Sequence, residues 1–165
     1  MRSWQTALGC LALLVVAGVV RADEAKVPLS EVPKAGLAAV KAMFPAGEIS
    51  GAAKETEDGK TFFEVTLKEK GRNIDVTIGT DGMVQLIEKE IVEKDLPAAV
   101  RKTLEAKYPQ ATYEIIEEVS SVKDGKATLD FLEALLVTAS KEKLEVQIAP
   151  DGKIKSEEKK PDEKN

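Results

Sequence analysis

The sequence predicts an α+β fold made of two tandem repeats, each one helix packed on an antiparallel four-stranded β-meander. Three observations predict it. Landmarks of different kinds recur in the same order in two stretches, 32–92 and 93–155. Each stretch opens on a helical stripe bounded by prolines. The rest of each alternates apolar with polar residues, and Asp-Gly pairs separate the runs.

The recurrence is specific in its spacing. Val32-Pro33-Lys34-Ala35 matches Leu96-Pro97-Ala98-Ala99, and Phe44-Pro45 matches Tyr108-Pro109, both at an offset of 64. Asp58-Gly59-Lys60 matches Asp124-Gly125-Lys126 at an offset of 66. Ile74-Asp75-Val76 matches Leu144-Glu145-Val146, and Asp81-Gly82 matches Asp151-Gly152, both at 70. The growing offset places small insertions in the second stretch, chiefly between Lys126 and Leu144.

Each element has a local cause. Pro33 and Pro97 suit a first helical turn, where a missing N–H costs nothing. Ser30 or Glu31, and Asp95 in the second stretch, can cap or favour the helix start. Leu37, Ala39, Val40 and Phe44 form the first apolar stripe; Val100, Leu104 and Tyr108 form the second. Pro45 and Pro109 end both helices, because proline disfavours helical geometry in the residue before it. Phe63, Val65 and Leu67 then alternate with Phe62, Glu64 and Thr66, as Ile74, Val76 and Ile78 do with Asp75 and Thr77. That period of two marks strands with one buried and one wet face. The Asp-Gly pairs supply the positive φ angles of tight hairpins. The segment 129–137 fits either a strand or a helix, since Leu129, Leu132, Leu135 and Leu136 are three or four apart. As a strand it places Leu132 and Leu136 opposite Phe131, Leu135 and Val137.

Residues 1–22 read as a signal peptide. Arg2 precedes the uncharged apolar run 7–20, and Val20-Arg21-Ala22 sets small residues at the recognition positions for cleavage after Ala22. The run is shorter than the ~20 residues that span a bilayer. A lipoprotein site at Cys10 fits less well, because the apolar run continues past it. The sequence thus predicts export, to the periplasm or the medium, with no membrane insertion after cleavage. Residues 23–31 form a polar leader. The charged stretch 156–165 has no apolar residue and is expected to be disordered.

Cleavage removes Cys10 and Trp4, and the chain has no histidine, so the mature protein has none of the three. Cysteine and histidine chemistry, a conventional zinc site and disulfides are thereby excluded. Loss of Arg2 and Arg21 takes the net charge from −5 to −7. That sign argues against nucleic acid and anionic membranes as partners. No phosphate-binding glycine loop is present, and Ser140-Lys141 reads as a surface turn. Adjacent acids such as Glu117-Glu118 point to opposite faces of a strand and cannot share a proton. The Asp-Gly sites lack the further carboxylates of a calcium loop. No catalytic, cofactor or metal residues are therefore expected. Phe62, Leu132 and Leu136 are the candidates for an exposed apolar patch that binds a protein partner.

The Leu-Pro…Tyr-Pro helix, the Asp-Gly-Lys hairpin, Phe63-Glu64-Val65 and the Ile-Asp-Val…Asp-Gly hairpin together resemble the PepSY-like domain. This is the β-lactamase-inhibitor-like branch of the peptidase-propeptide modules. The resemblance covers nearly all of 32–155 as two copies and implies exported, non-catalytic modules that inhibit proteases or other enzymes, or bind ligands, outside the cytoplasm. It carries no catalytic residues. The leading expectation is a binding or inhibitory module acting on a protein partner outside the cytoplasm. The alternative is an envelope sensor of a small ligand or cation.

Overall fold

Two prolines set where the helices begin. The computed structural model describes residues 23–57 and 59–161; the predicted signal peptide, Asp58 and residues 162–165 lie outside them. Helix α1 runs over Lys34–Met43 and α2 over Ala98–Lys107. The prolines stand one residue earlier than expected, as the caps themselves. The carbonyl of Pro33 accepts the Leu37 N–H at 3.1 Å, and that of Pro97 accepts the Arg101 N–H at 3.0 Å. Neither helix start has a side-chain cap, so Ser30, Glu31 and Asp95 do not take that role. Phe44 and Tyr108 close the last turns through N–H bonds to Val40 and Leu104, and the prolines that follow stop both helices.

The strands are β1 (Asp23–Lys26), β2 (Glu48–Glu57), β3 (Lys60–Glu69), β4 (Arg72–Gly79), β5 (Val84–Glu90), β6 (Thr112–Lys123), β7 (Lys126–Val137), β8 (Lys143–Ile148) and β9 (Ile154–Lys159). They form one antiparallel sheet in chain order, β1 to β9. This corrects the predicted fold class. The described residues are not two repeats of one helix on a separate four-stranded meander, but a mostly β fold with a single continuous sheet and two short α-helices. The physical reason is edge pairing. β5 would otherwise end a meander with unpaired backbone groups. Instead 86–90 pair with 121–117 of β6, and β1 adds itself to β2.

Two further expectations change for the same reason. The polar leader supplies β1, and Ser156 to Lys159, expected to be disordered, form most of β9. There Glu157 is clamped to the end of α2: Tyr108 Oη donates to Glu157 Oε1, and Lys107 Nζ lies 2.5 Å from Glu157 Oε2. The ambiguous segment 129–137 lies wholly within β7.

Both helices cover the same face. Val40 of α1 packs with Phe63, Val65, Leu67, Ile74, Val76, Ile78 and Ile87. Val100, Leu104 and Tyr108 of α2 pack with Ile116, Leu132, Ala134, Leu136, Val146 and Ile148. The register carries this alternation through all the central strands. The side chains between these residues therefore belong to a second face, on which neither helix packs.

Glycines fix the hairpins. Gly59, Gly82, Gly125 and Gly152 all have φ between +73° and +87°, as the Asp-Gly pairs required. Gly152 has a second constraint. A Cβ there would stand 2.7 Å from the Ala99 carbonyl and 2.9 Å from Thr103 Oγ1. Thr103 Oγ1 itself donates to the Gly152 carbonyl at 2.9 Å, docking the β8–β9 turn on α2. At Gly59 a Cβ would meet nothing. Gly152→Ala is therefore expected to cost about 2–4 kcal/mol, against about 1 kcal/mol for Gly59→Ala. Parallel thermal melts check the difference, and equal losses would contradict the docking.

Candidate functional site: a carboxylate row on the helix-free face

Six consecutive strands each send one carboxylate from their middle to the face that the helices leave open. They are Glu64 of β3, Asp75 of β4, Glu88 of β5, Glu117 of β6, Glu133 of β7 and Glu145 of β8. The local sequence explains the placement. In each case the preceding residue (Phe63, Ile74, Ile87, Ile116, Leu132 or Leu144) packs on the helix side. Strand alternation then turns the acid outward.

The pairing brings acids directly opposite one another. Asp75 faces Glu88, Glu117 faces both Glu90 and Glu133, and Glu145 faces Glu158. Like charges in such positions repel. The repulsion is stronger here because the groups are shielded from water. Glu88 is 2% exposed, Glu133 4%, Glu145 7% and Glu64 8%.

Protons relieve the conflict. Burial pushes the Glu88 carboxyl up to about 9, helped by the charges of Glu117, Glu64, Glu133 and Asp75. Burial likewise raises Glu117 to about 7, with Asp75, Glu90 and Glu145 adding to it. Glu133 also rises to about 7, mainly by burial and the Glu145 charge. A hydrogen bond from Gln147 and the Lys160 charge hold it back. Gln147 Nε2 donates to Glu133 Oε2 at 3.1 Å. At neutral pH the centre of the row thus holds protons that free carboxylates would have released.

Basic groups meet the row unevenly. Lys160 Nζ lies 2.8 Å from Glu145 Oε2 and 3.1 Å from Glu158 Oε2, which neutralises the β8 end. At the centre, Glu88 Oε1 is buried and has no hydrogen-bond partner among the described residues. No group of three or more acids among those residues converges so as to hold a metal ion. The acids stand side by side at strand spacing, about 4.8 Å per strand.

The structure separates the three candidates for an apolar patch. Phe62 lies half-buried on the helix-free face, opposite Glu55. Leu132 and Leu136 are wholly buried on the other face, in the core beneath α2. The apolar residues beside the row are instead Leu86, Val119, Phe131 and Leu135, and Lys155 Nζ stands 4.5 Å above the Phe131 ring. Sequence reasoning missed the row because it tested acids adjacent in the chain, such as Glu117-Glu118. The sharing partners are cross-strand. A signal was present: apolar-acid-apolar triplets recur as Phe63-Glu64-Val65, Ile74-Asp75-Val76, Leu132-Glu133-Ala134 and Leu144-Glu145-Val146.

No protein-family model and no curated protein matches the chain. Solved structures do. A BLIP-like protein from Bacteroides fragilis has 14% identity and a TM-score of 0.59, over 81% of this chain and 91% of that one. A DUF2874 family protein from Bacteroides uniformis has 16% identity and a TM-score of 0.61, over 77% and 88%. A protein from Bacteroides eggerthii, assigned to the periplasm, has 15% identity and a TM-score of 0.62, over 78% and 88%. At such identities the likeness is one of architecture, and the chain has the BLIP-like fold.

Proposed function

We propose that the chain is an exported, non-catalytic binding protein of the PepSY-like kind that holds or inhibits a protein partner on its helix-free sheet face. The observation that carries this reading is the face itself. Both helices bury one side of the sheet, while the other presents recessed carboxylates between apolar residues. Nine strands at about 4.8 Å spacing make that face roughly 40 Å broad, a scale that suits a macromolecular interface more than a small molecule. Phe62 sits toward one side of it, half-buried, and keeps its place as a candidate contact.

The signal-peptide pattern of residues 1–22 supports export, and the periplasmic assignment of the B. eggerthii protein agrees with it. The sequence resemblance to PepSY-like modules and the BLIP-like fold support a non-catalytic role in the same direction.

The test is site-specific photocross-linking in the exporting cell. A photoreactive residue replaces Thr66 on the open face or Lys102 on α2. The proposal expects one defined protein adduct from position 66 and none from 102. The captured protein, once purified, should rebind the unmodified chain. Adducts from 102 alone, or captured proteins that do not rebind, would overturn the assignment of the face.

A further inference from the structure

We propose that the centre of the helix-free face, from Asp75 through Glu88 and Glu117 to Glu133, receives an extended segment of the partner that carries lysine or arginine side chains. This rests on the reading of the face as a docking surface and adds the chemistry of what docks.

The first support is Glu88. It is 2% exposed and its Oε1 has no hydrogen-bond partner among the described residues. A buried acceptor without a donor costs stability, and a donor brought by a partner would remove that cost. The second is the set of charges around it. Those acting on Glu88 are Glu64 from β3, Asp75 from β4, Glu117 from β6 and Glu133 from β7, all acidic. Those acting on Glu117 are Asp75, Glu90 and Glu145, again all acidic. One cation over the centre would be attracted by every one of them.

The third support is that the chain already places such a group on the row. Lys160 reaches the β8 end from beyond β9 and sits between Glu145 and Glu158. Its charge is felt as far as Glu133. At Glu88 and Glu117 the chemistry is the same, and no lysine or arginine among the described residues forms such an ion pair with either. The layout favours a peptide over a metal ion, because the acids are spread at strand spacing and do not converge. Asp75 and Glu117 are half-buried, so an arriving cation meets them first. Its approach favours the ionised carboxylates, so protons held by Glu88, Glu117 and Glu133 leave as it binds.

The experiment uses the mature chain and a labelled decalysine peptide as probe, with calcium chloride alone as a second titrant. Two double variants are compared with wild type. Glu88→Gln with Glu117→Gln alters the row, and Glu31→Gln with Glu105→Gln replaces two exposed acids elsewhere and removes at least as much charge. Decalysine should bind the wild type and release about one proton, read by calorimetry in buffers of different ionisation heat. The row variant should bind at least about tenfold more weakly and lose the proton release, whereas the control changes by less than about twofold. Equal weakening in both variants, no binding to wild type, or row-dependent binding of calcium but not of decalysine would overturn the proposal. If the cross-linked partner binds the row variant as tightly as wild type, the docking face stands and the basic segment falls.

Discussion

Glu88→Gln is expected to stabilise the fold at pH 7 by about 3 kcal/mol and to leave it nearly unchanged at pH 4.5. The folded protein keeps the Glu88 carboxyl protonated up to about 9, whereas the unfolded chain releases that proton near 4.5. Between those values unfolding releases a proton, so a rise in pH favours the unfolded state. At pH 7 the difference amounts to about 2.5 pH units at 1.36 kcal/mol each. Glutamine has nearly the same shape and cannot ionise, so the variant escapes the penalty. Glu117 and Glu133 act in the same sense but only up to about 7. Wild-type stability should therefore fall from pH 4.5 to 9, and that of the variant should level off near 7. Surface acids work the other way: Glu142 and Glu157, held low by Lys159 and Lys107, lose their contribution as pH drops below the usual carboxylate range. The best stability should thus lie on the acid side of neutrality. Urea unfolding at pH 5, 7 and 8.5 measures this, and parallel slopes for the two proteins would contradict it.

Leu132→Ala and Leu136→Ala should each cost about 3 kcal/mol or more. Both side chains are fully buried beneath α2, among Val100, Leu104, Val146 and Ile148. Truncation removes apolar burial and leaves a cavity, the two terms that give 2–5 kcal/mol for such changes. Had these leucines formed a surface patch, the cost would stay within about 0.5 kcal/mol. Phe62→Ala, on the open and half-buried side, should cost about 1 kcal/mol and bear chiefly on partner binding. Chemical denaturation of the three variants separates core from surface directly.

What was legible in the sequence had local causes. Proline-bounded stripes marked both helices to within a residue at their ends. Asp-Gly pairs marked hairpins, and period-two alternation marked β3 and β4. Leu129 to Val137 resisted assignment because β7 carries apolar residues on both faces, with Leu132 and Leu136 in the core and Phe131 and Leu135 on the open side. The continuous sheet was illegible because its decisive pairing, Glu90 with Glu117, spans a turn and a whole helix with no local signal. β9 was mistaken for disorder because an edge strand needs little apolar surface and is protected by charge. Composition cannot distinguish that from a solvated tail.

The carboxylate row failed to show for a related reason. Its members are neighbours only across strands, so no sequence spacing unites them. What each strand does show is an acid directly after a residue that packs in the core. That six such acids share one face, and that Glu88, Glu117 and Glu133 among them hold protons, follows only once the register is known.

The most direct measurement is a carbon-13 NMR titration of the glutamate side-chain carboxyls, assigned with Glu88→Gln, Glu117→Gln and Glu133→Gln. The expected result is a Glu88 midpoint near 9, with Glu117 and Glu133 near 7. Midpoints between 4 and 5 for all three, the range of solvated carboxylates, would contradict a buried acidic row at the centre of the face.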